Sequence, residues 1–226
     1  MRRIINNHDF NSVFGKPKTT KTRLWHKTEI FVHPEFFGIY HCYFEIFKAL
    51  KTDLPLLHTS SDLIVFEDPH SNCYYITNLF HWYLYYKNKP PKYINLRIYN
   101  HPDDNLINEL KKITSHEFIK FISNFQFNID LINPNRLLNL INKHISPELI
   151  LKHNKCHSFK LHSKMSMDLL AKELSFNRNQ LNYRLKKLKQ ERNDVLIELE
   201  LSSPLIYQLL NDPNFELNAE QLWSLK

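Results

Sequence analysis

Only two glycines, Gly15 and Gly38, occur in 226 residues, and this scarcity closes off more architectures than any other feature of the chain. Loops that cradle a phosphate use glycine so that the backbone can approach the ligand closely. Neither glycine stands in a GxGxxG or GxxxxGK(S/T) pattern. Dinucleotide-binding and P-loop folds are therefore not expected, and no cofactor is.

The remaining totals set the class. Hydrophobic residues make up 42% of the chain, enough for a real core, and aromatics 13%, which serve mainly as packing material. The three cysteines, Cys42, Cys73 and Cys156, are odd in number and far apart, which does not suit a disulfide framework. No apolar run reaches the roughly 18–20 residues of a membrane helix. Residues 1–8 carry arginines without the long apolar region of a signal peptide. The expected setting is cytoplasmic, with no membrane partner.

Charge says more through its distribution than through its total of +7. Residues 1–27 carry a net +6 and residues 160–192 another +6, the stretch between is balanced, and residues 193–226 carry −5. Two basic regions flanking a neutral body match a nucleic-acid footprint.

Periodicity and turn residues divide the chain. Residues 1–27 are polar and basic, and read as an arm. Residues 35–50 are apolar enough for a largely buried helix. Leu63 to Phe66 and Cys73 to Thr77, joined by Asp68-Pro69-His70-Ser71-Asn72, read as a hairpin. A short aromatic helix from Phe80 to Tyr86 and an alternating strand from Tyr93 to Tyr99 follow. Beyond residue 100 the spacing is helical, with starts at Asp104, Asn133-Pro134 and Ser146-Pro147. The expected fold is α+β: an arm (1–27), a small mixed α/β domain (28–100), and an all-helical domain (101–226) with an acidic tail.

The segment at 166–190 reads as a helix-turn-helix. Ser166 caps a first helix, Ala171 is small where a second helix must cross, and Asn177 with Gln180 can cap that second helix. Leu170, Leu174, Phe176, Leu181, Leu185 and Leu188 form an inner face. Ser175 stands where such turns often have glycine, whose conformation serine can adopt at a cost of about 1 kcal/mol. The second helix presents Arg178, Asn179 and Asn182 to base edges, Tyr183 to either role, and Arg184, Lys186, Lys187 and Lys189 to phosphates.

The run Leu-Ala-Lys-Glu-Leu-Ser-Phe-Asn-Arg-Asn-Gln-Leu-Asn-Tyr-Arg-Leu from Leu170 to Leu185, with Asn-Arg opening the second helix and Tyr-Arg-Leu within it, resembles the helix-turn-helix of the Fis and PucR families. That resemblance implies binding of double-stranded DNA, usually as a homodimer. A weaker resemblance covers Leu54 to Tyr99, whose strand, turn, strand, helix and strand are similar to the ParB/sulfiredoxin-like domain. That family places an Asp-Gly-x-His-Arg motif at a helix start, against phosphate. Asn78, Leu79, Phe80, His81 and Trp82 stand there, and only His81 matches, so the family's nucleotide chemistry is not carried over.

Other clusters are weaker. His153, Cys156, His157 and His162 are residue types that zinc uses, but the spacing is unspecific and no metal is expected. Asp62, Glu67 and Asp68, with Lys87, Lys89 and Lys92 later, are the residue types of a metal-dependent nuclease, yet nothing in the sequence fixes their geometry. The apolar, acidic tail after Asp194 suits either a cap or a dimer contact. The leading expectation is a non-enzymatic, nucleoid-associated, sequence-specific DNA-binding homodimer, a bacterial transcriptional regulator. The alternatives are a ParB-like partition protein of a plasmid or other mobile element, and the nuclease.

Overall fold

The uninterrupted apolar run Leu63–Glu67 becomes the middle strand of a five-stranded sheet. A run without polar alternation suits a strand covered on both faces, and four of its five residues are buried. The computed structural model describes residues 15–51, 62–68, 71, 73–156, 162–212 and 215. Among them are strands β1 (Thr19–Leu24), β2 (Ile30–Val32), β3 (Leu63–Glu67), β4 (Tyr74–Ile76) and β5 (Tyr93–Tyr99). The helices are α1 (Phe37–Phe47), α2 (Phe80–Asn88), α3 (Asp104–Asn124), α4 (Pro134–His144), α5 (Pro147–Cys156), α6 (Met167–Glu173), α7 (Arg178–Ser202) and α8 (Pro204–Asn211).

The sheet is mixed, in the order β1-β5-β3-β4-β2. β3 and β4 pair antiparallel, as expected of the hairpin, with Val65 opposite Ile76. β3 and β5 run parallel, as do β2 and β4, while β1 is antiparallel to β5. The Tyr83 hydroxyl donates to the Ile30 carbonyl at 2.7 Å, tying α2 to β2, and the Thr114 hydroxyl donates to the Thr77 carbonyl at 2.9 Å, tying α3 to the end of β4.

The fold is α+β, with the helical part C-terminal to the sheet. The helices begin where capping residues stand. The Asp103 carboxylate accepts from the Leu106 N–H at 2.7 Å, and Asn133 caps α4 ahead of Pro134. The expected helices at 35–50, 80–86, 104–125, 133 onward and 146 onward are all found, each displaced by a few residues at most.

The basic lead-in departs from an arm over Thr19–Leu24, which forms edge strand β1. Its Thr-Lys-Thr-Arg pattern has no apolar face, and it is held by backbone pairing to β5. The first fourteen residues lie outside the described ones.

Two compact units emerge, Met1–Leu181 and Asn182–Lys226. In the first, one hydrophobic core runs from Ile30 in β2 to Leu181 in α7 and takes in residues of the sheet and of helices α1 to α7. In the second, the remainder of α7 and the amphipathic α8 line a cleft of about 430 Å³ between Leu188, Val195, Leu199 and Leu210.

Candidate nucleic-acid interface

The α6–turn–α7 segment is built by local chemistry at each of its joints. The Ser166 hydroxyl accepts from the Leu169 N–H at 3.1 Å and starts α6. At the other end of α6 the Phe176 N–H donates to the Ala171 carbonyl at 2.8 Å and the Ser175 N–H to the Lys172 carbonyl at 3.1 Å. This crossed pair is the Schellman closure of a helix, which puts its C′ residue in the left-handed region. Ser175 occupies that position with φ 59°. Asn177 and Gln180 then cap α7 reciprocally. The Asn177 side chain accepts from the Gln180 N–H at 2.8 Å, and the Gln180 side chain accepts from the Asn177 N–H at 2.9 Å.

The inner face is anchored. Leu169, Leu170, Ala171, Leu174 and Leu181 are buried in the core of the first unit, while Phe176, Leu185 and Leu188 are half-buried. Two further contacts fix the approach to α6. The Asn142 side chain of α4 receives the Met165 N–H at 2.6 Å and donates to the Met165 carbonyl at 3.0 Å. Glu173, buried at the end of α6, accepts from the Ser123 hydroxyl of α3 and lies 3.5 Å from His153 of α5. Neither Asn142 nor Glu173 is conspicuous in the sequence; each looks like a solvated polar position on a helix.

Helical periodicity places Asn179, Tyr183 and Lys186 along α7 opposite the stripe of Leu181, Leu185 and Leu188, with Arg178, Asn182, Lys187 and Lys189 flanking them. Arg178, Asn179, Lys186, Lys187 and Lys189 are exposed, Asn182 is half-buried, and Tyr183 has 72% of its surface in solvent. The two arginines are both paired with acids. Arg178 donates from Nη1 to Asp168 at 3.2 Å, and Arg184 from Nη1 to Glu191 at 3.2 Å. The Arg184 side chain is only 11% exposed and is held along its own helix. Asp168 lies outside the site expected from the sequence; its position ten residues before Arg178 gives no local sign that the two meet.

The acids and lysines of the nuclease reading take separate partners. Asp62 pairs with Arg97 at 2.9 Å, Glu67 with Lys18 at 2.6 Å, and Asp68 accepts from the Ser71 hydroxyl at 2.8 Å within the β3–β4 turn. Lys87, Lys89 and Lys92 lie over the rings of Tyr83, Tyr85 and Tyr93. His157 of the His-Cys cluster lies outside the described residues. Among the described residues no group of three or more His, Cys, Asp or Glu is placed to hold a metal ion, and no helix is long and apolar enough to cross a membrane.

At the start of α2, Leu79 adopts φ 52°, a left-handed backbone at the very position where the ParB/sulfiredoxin-like motif has glycine. Asn78, Phe80 and Trp82 are buried. His81 stacks with Tyr43 and Phe121 at ring separations of 6.1 and 5.4 Å. The Leu79 N–H donates to the Glu117 carboxyl at 3.4 Å, and burial pushes the Glu117 pKa up to about 8 against the lowering effect of that bond and of Lys120. With packed side chains and a carboxyl at this helix start, the residues present do not fit a nucleotide phosphate.

No protein-family model matches the chain, and no curated protein matches it. A solved structure to which it is similar is the C-terminally truncated chromosome-partitioning protein ParB from Caulobacter crescentus, complexed with CTP-γ-S. The identity is 10%, the match covers 87% of this chain and 94% of that one, and the TM-score is 0.25. A score this low assigns neither a fold nor a function here.

Proposed function

We propose that this chain binds double-stranded DNA, with α7 entering the major groove and α6 lying across the backbone. The observation that carries this is the fully closed α6–turn–α7 joint. A Schellman closure and a reciprocal capping box fix the start of α7, and the face opposite its leucine stripe holds Asn179, Tyr183 and Lys186 with further basic residues on either side. A helix this rigidly started, with polar and basic side chains in its first turns, has the composition of a recognition helix. Arg178, Asn179 and Asn182 read bases, Tyr183 supports either role, and Lys186, Lys187 and Lys189 take phosphates. Arg184 shares that phosphate role only after leaving Glu191.

The protein acts as a homodimer and without catalysis. Val195, Ile197, Leu201, Leu209 and Leu210 of the second unit expose large apolar surfaces, with Leu201 at 82%, and a monomer gains nothing by presenting them to water. A second copy covering them would bring two recognition helices to one site. Titration of a duplex with wild-type protein tests the binding, and replacing Lys186 and Lys187 by alanine should lower the salt slope of log K by about 0.9 for each phosphate no longer neutralised. An unchanged slope would remove both lysines from the interface.

A partition-type role is favoured over that of a transcriptional regulator by one observation on this chain. The stretch from β3 to β5 has the strand, turn, strand, helix, strand order of the ParB/sulfiredoxin-like domain. In this reading the domain is a scaffold that has lost its nucleotide. Calorimetry with CTP should give no heat of binding; a stoichiometric heat would restore the nucleotide function.

A further inference from the structure

We propose that Asp168 is a specificity-determining residue that holds Arg178 in the orientation needed to read a base edge. This rests on the DNA-binding reading above and extends it to a residue outside the recognition helix. Arg178 is the first residue of α7, where base contacts are made in a helix-turn-helix. Asp168 lies in the first turn of α6 and reaches it across the turn, with Nη1 donating to Oδ2 at 3.2 Å.

A guanidinium is a planar fork of five donors with no acceptor. Holding it at one nitrogen restricts its swing and leaves the remaining donors free to point at a base edge. A phosphate contact needs only a positive charge nearby, whereas a base-edge contact needs two donors in a set direction. The pair therefore costs little in the base-reading mode, where it is kept. It opposes the phosphate-only mode, where Arg178 must swing away and leave a carboxylate facing the DNA. Discrimination arises from that difference between the two modes rather than from attraction alone. Both side chains are substantially exposed, Arg178 at 61% and Asp168 at 43%, so DNA can reach the pair without rearrangement of the core.

The experiment compares the full-length wild type with Asp168→Asn, Asp168→Glu and Arg178→Ala. Each protein selects from a random-sequence duplex pool, and the retained duplexes are sequenced. Affinities for the best duplex and for a scrambled one are then taken over a salt series. Asp168→Asn should relax base preference at the same position as Arg178→Ala. It should raise affinity for the scrambled duplex by up to about fivefold, the equivalent of one exposed ion pair, and steepen its salt slope by up to about 0.9. Asp168→Glu, which keeps the charge and a carboxylate, should keep the preference.

If Asp168→Asn tightens both duplexes equally and leaves every base preference intact, Asp168 acts only as a charge and the proposal is overturned. Relaxation at positions other than the one read by Arg178 overturns it as well. A wild type that binds no duplex at any salt overturns the DNA-binding reading itself, and this proposal with it.

Discussion

Replacing Asn177 and Gln180 by alanine, singly and together, probes the joint on which the proposed interface depends. Each side chain caps the other's backbone N–H, at 2.8 and 2.9 Å. Asn177→Ala removes an N-cap and should destabilise the chain by about 1 kcal/mol, the middle of the range for such residues. Gln180→Ala frees the Asn177 N–H, which is exposed and can turn to water, so its cost is nearer about 0.5 kcal/mol. Because the two bonds share one helix turn, the double variant should lose less than the sum, with a coupling of about 0.5 kcal/mol. Urea unfolding followed by circular dichroism reads these values, with the slope m unchanged. Duplex binding should weaken by no more than about fivefold in either single variant, since about 1 kcal/mol of local opening is the whole effect. A Gln180→Ala variant of unchanged stability whose DNA binding is weakened more than about tenfold, beyond what that opening supplies, would refute this reasoning. Gln180 would then be a DNA contact and not a cap.

Three further outcomes rest on the packing and the buried charges. Leu170→Ala, at a fully buried position where α6 meets the core, should cost about 2–5 kcal/mol in urea unfolding, and a loss below about 1 kcal/mol would mean that α6 is not packed as described. Glu117 has a folded pKa of about 8 against an ordinary value of 4.5, so the folded state holds a proton that the unfolded chain releases between these values. Its contribution is full below about pH 4.5 and declines as pH rises to about 8, by a few kcal/mol in all. Glu117→Gln should flatten the fall in melting temperature over that window, and an unchanged profile would show that Glu117 ionises normally in the fold. Leu201→Glu with Leu210→Glu should leave the chain monomeric in sedimentation equilibrium, with the fold intact by circular dichroism, whereas an unchanged dimer would place the contact elsewhere.

The α6–turn–α7 joint is legible in the sequence because its determinants are local. A cap, a small residue, a left-handed Ser and a capping box follow one another from Ser166 to Gln180, and each is found where the spacing puts it. The β3–β4 hairpin and the alternating β5 are legible for the same reason. β1 is not, because an edge strand of alternating Thr and basic residues has no buried face to mark it, and its pairing with β5 joins Thr19 to Ile98, far apart in the chain. β2, at three residues, is too short to show a period. The parallel pairings of β3 with β5 and of β2 with β4 are likewise non-local. Buried carboxylates form the third class of omission. Glu45, Glu117 and Glu173 each sit on a helix as an ordinary surface acid would, and only the fold brings Arg136 to Glu45, the Leu79 N–H to Glu117 and Ser123 to Glu173. Asp168, though partly exposed, is missed for a related reason, since its partner is fixed by the crossing of two helices and not by spacing.

The central claim is that α7 reads double-stranded DNA, and selection of wild-type protein against a random-sequence duplex pool across a salt series tests it most directly. A two-fold symmetric motif is expected among the retained duplexes, with affinity falling steeply as salt rises. Failure to retain any duplex at low salt would contradict the claim, and would make the capped helix pair a purely structural element of the fold.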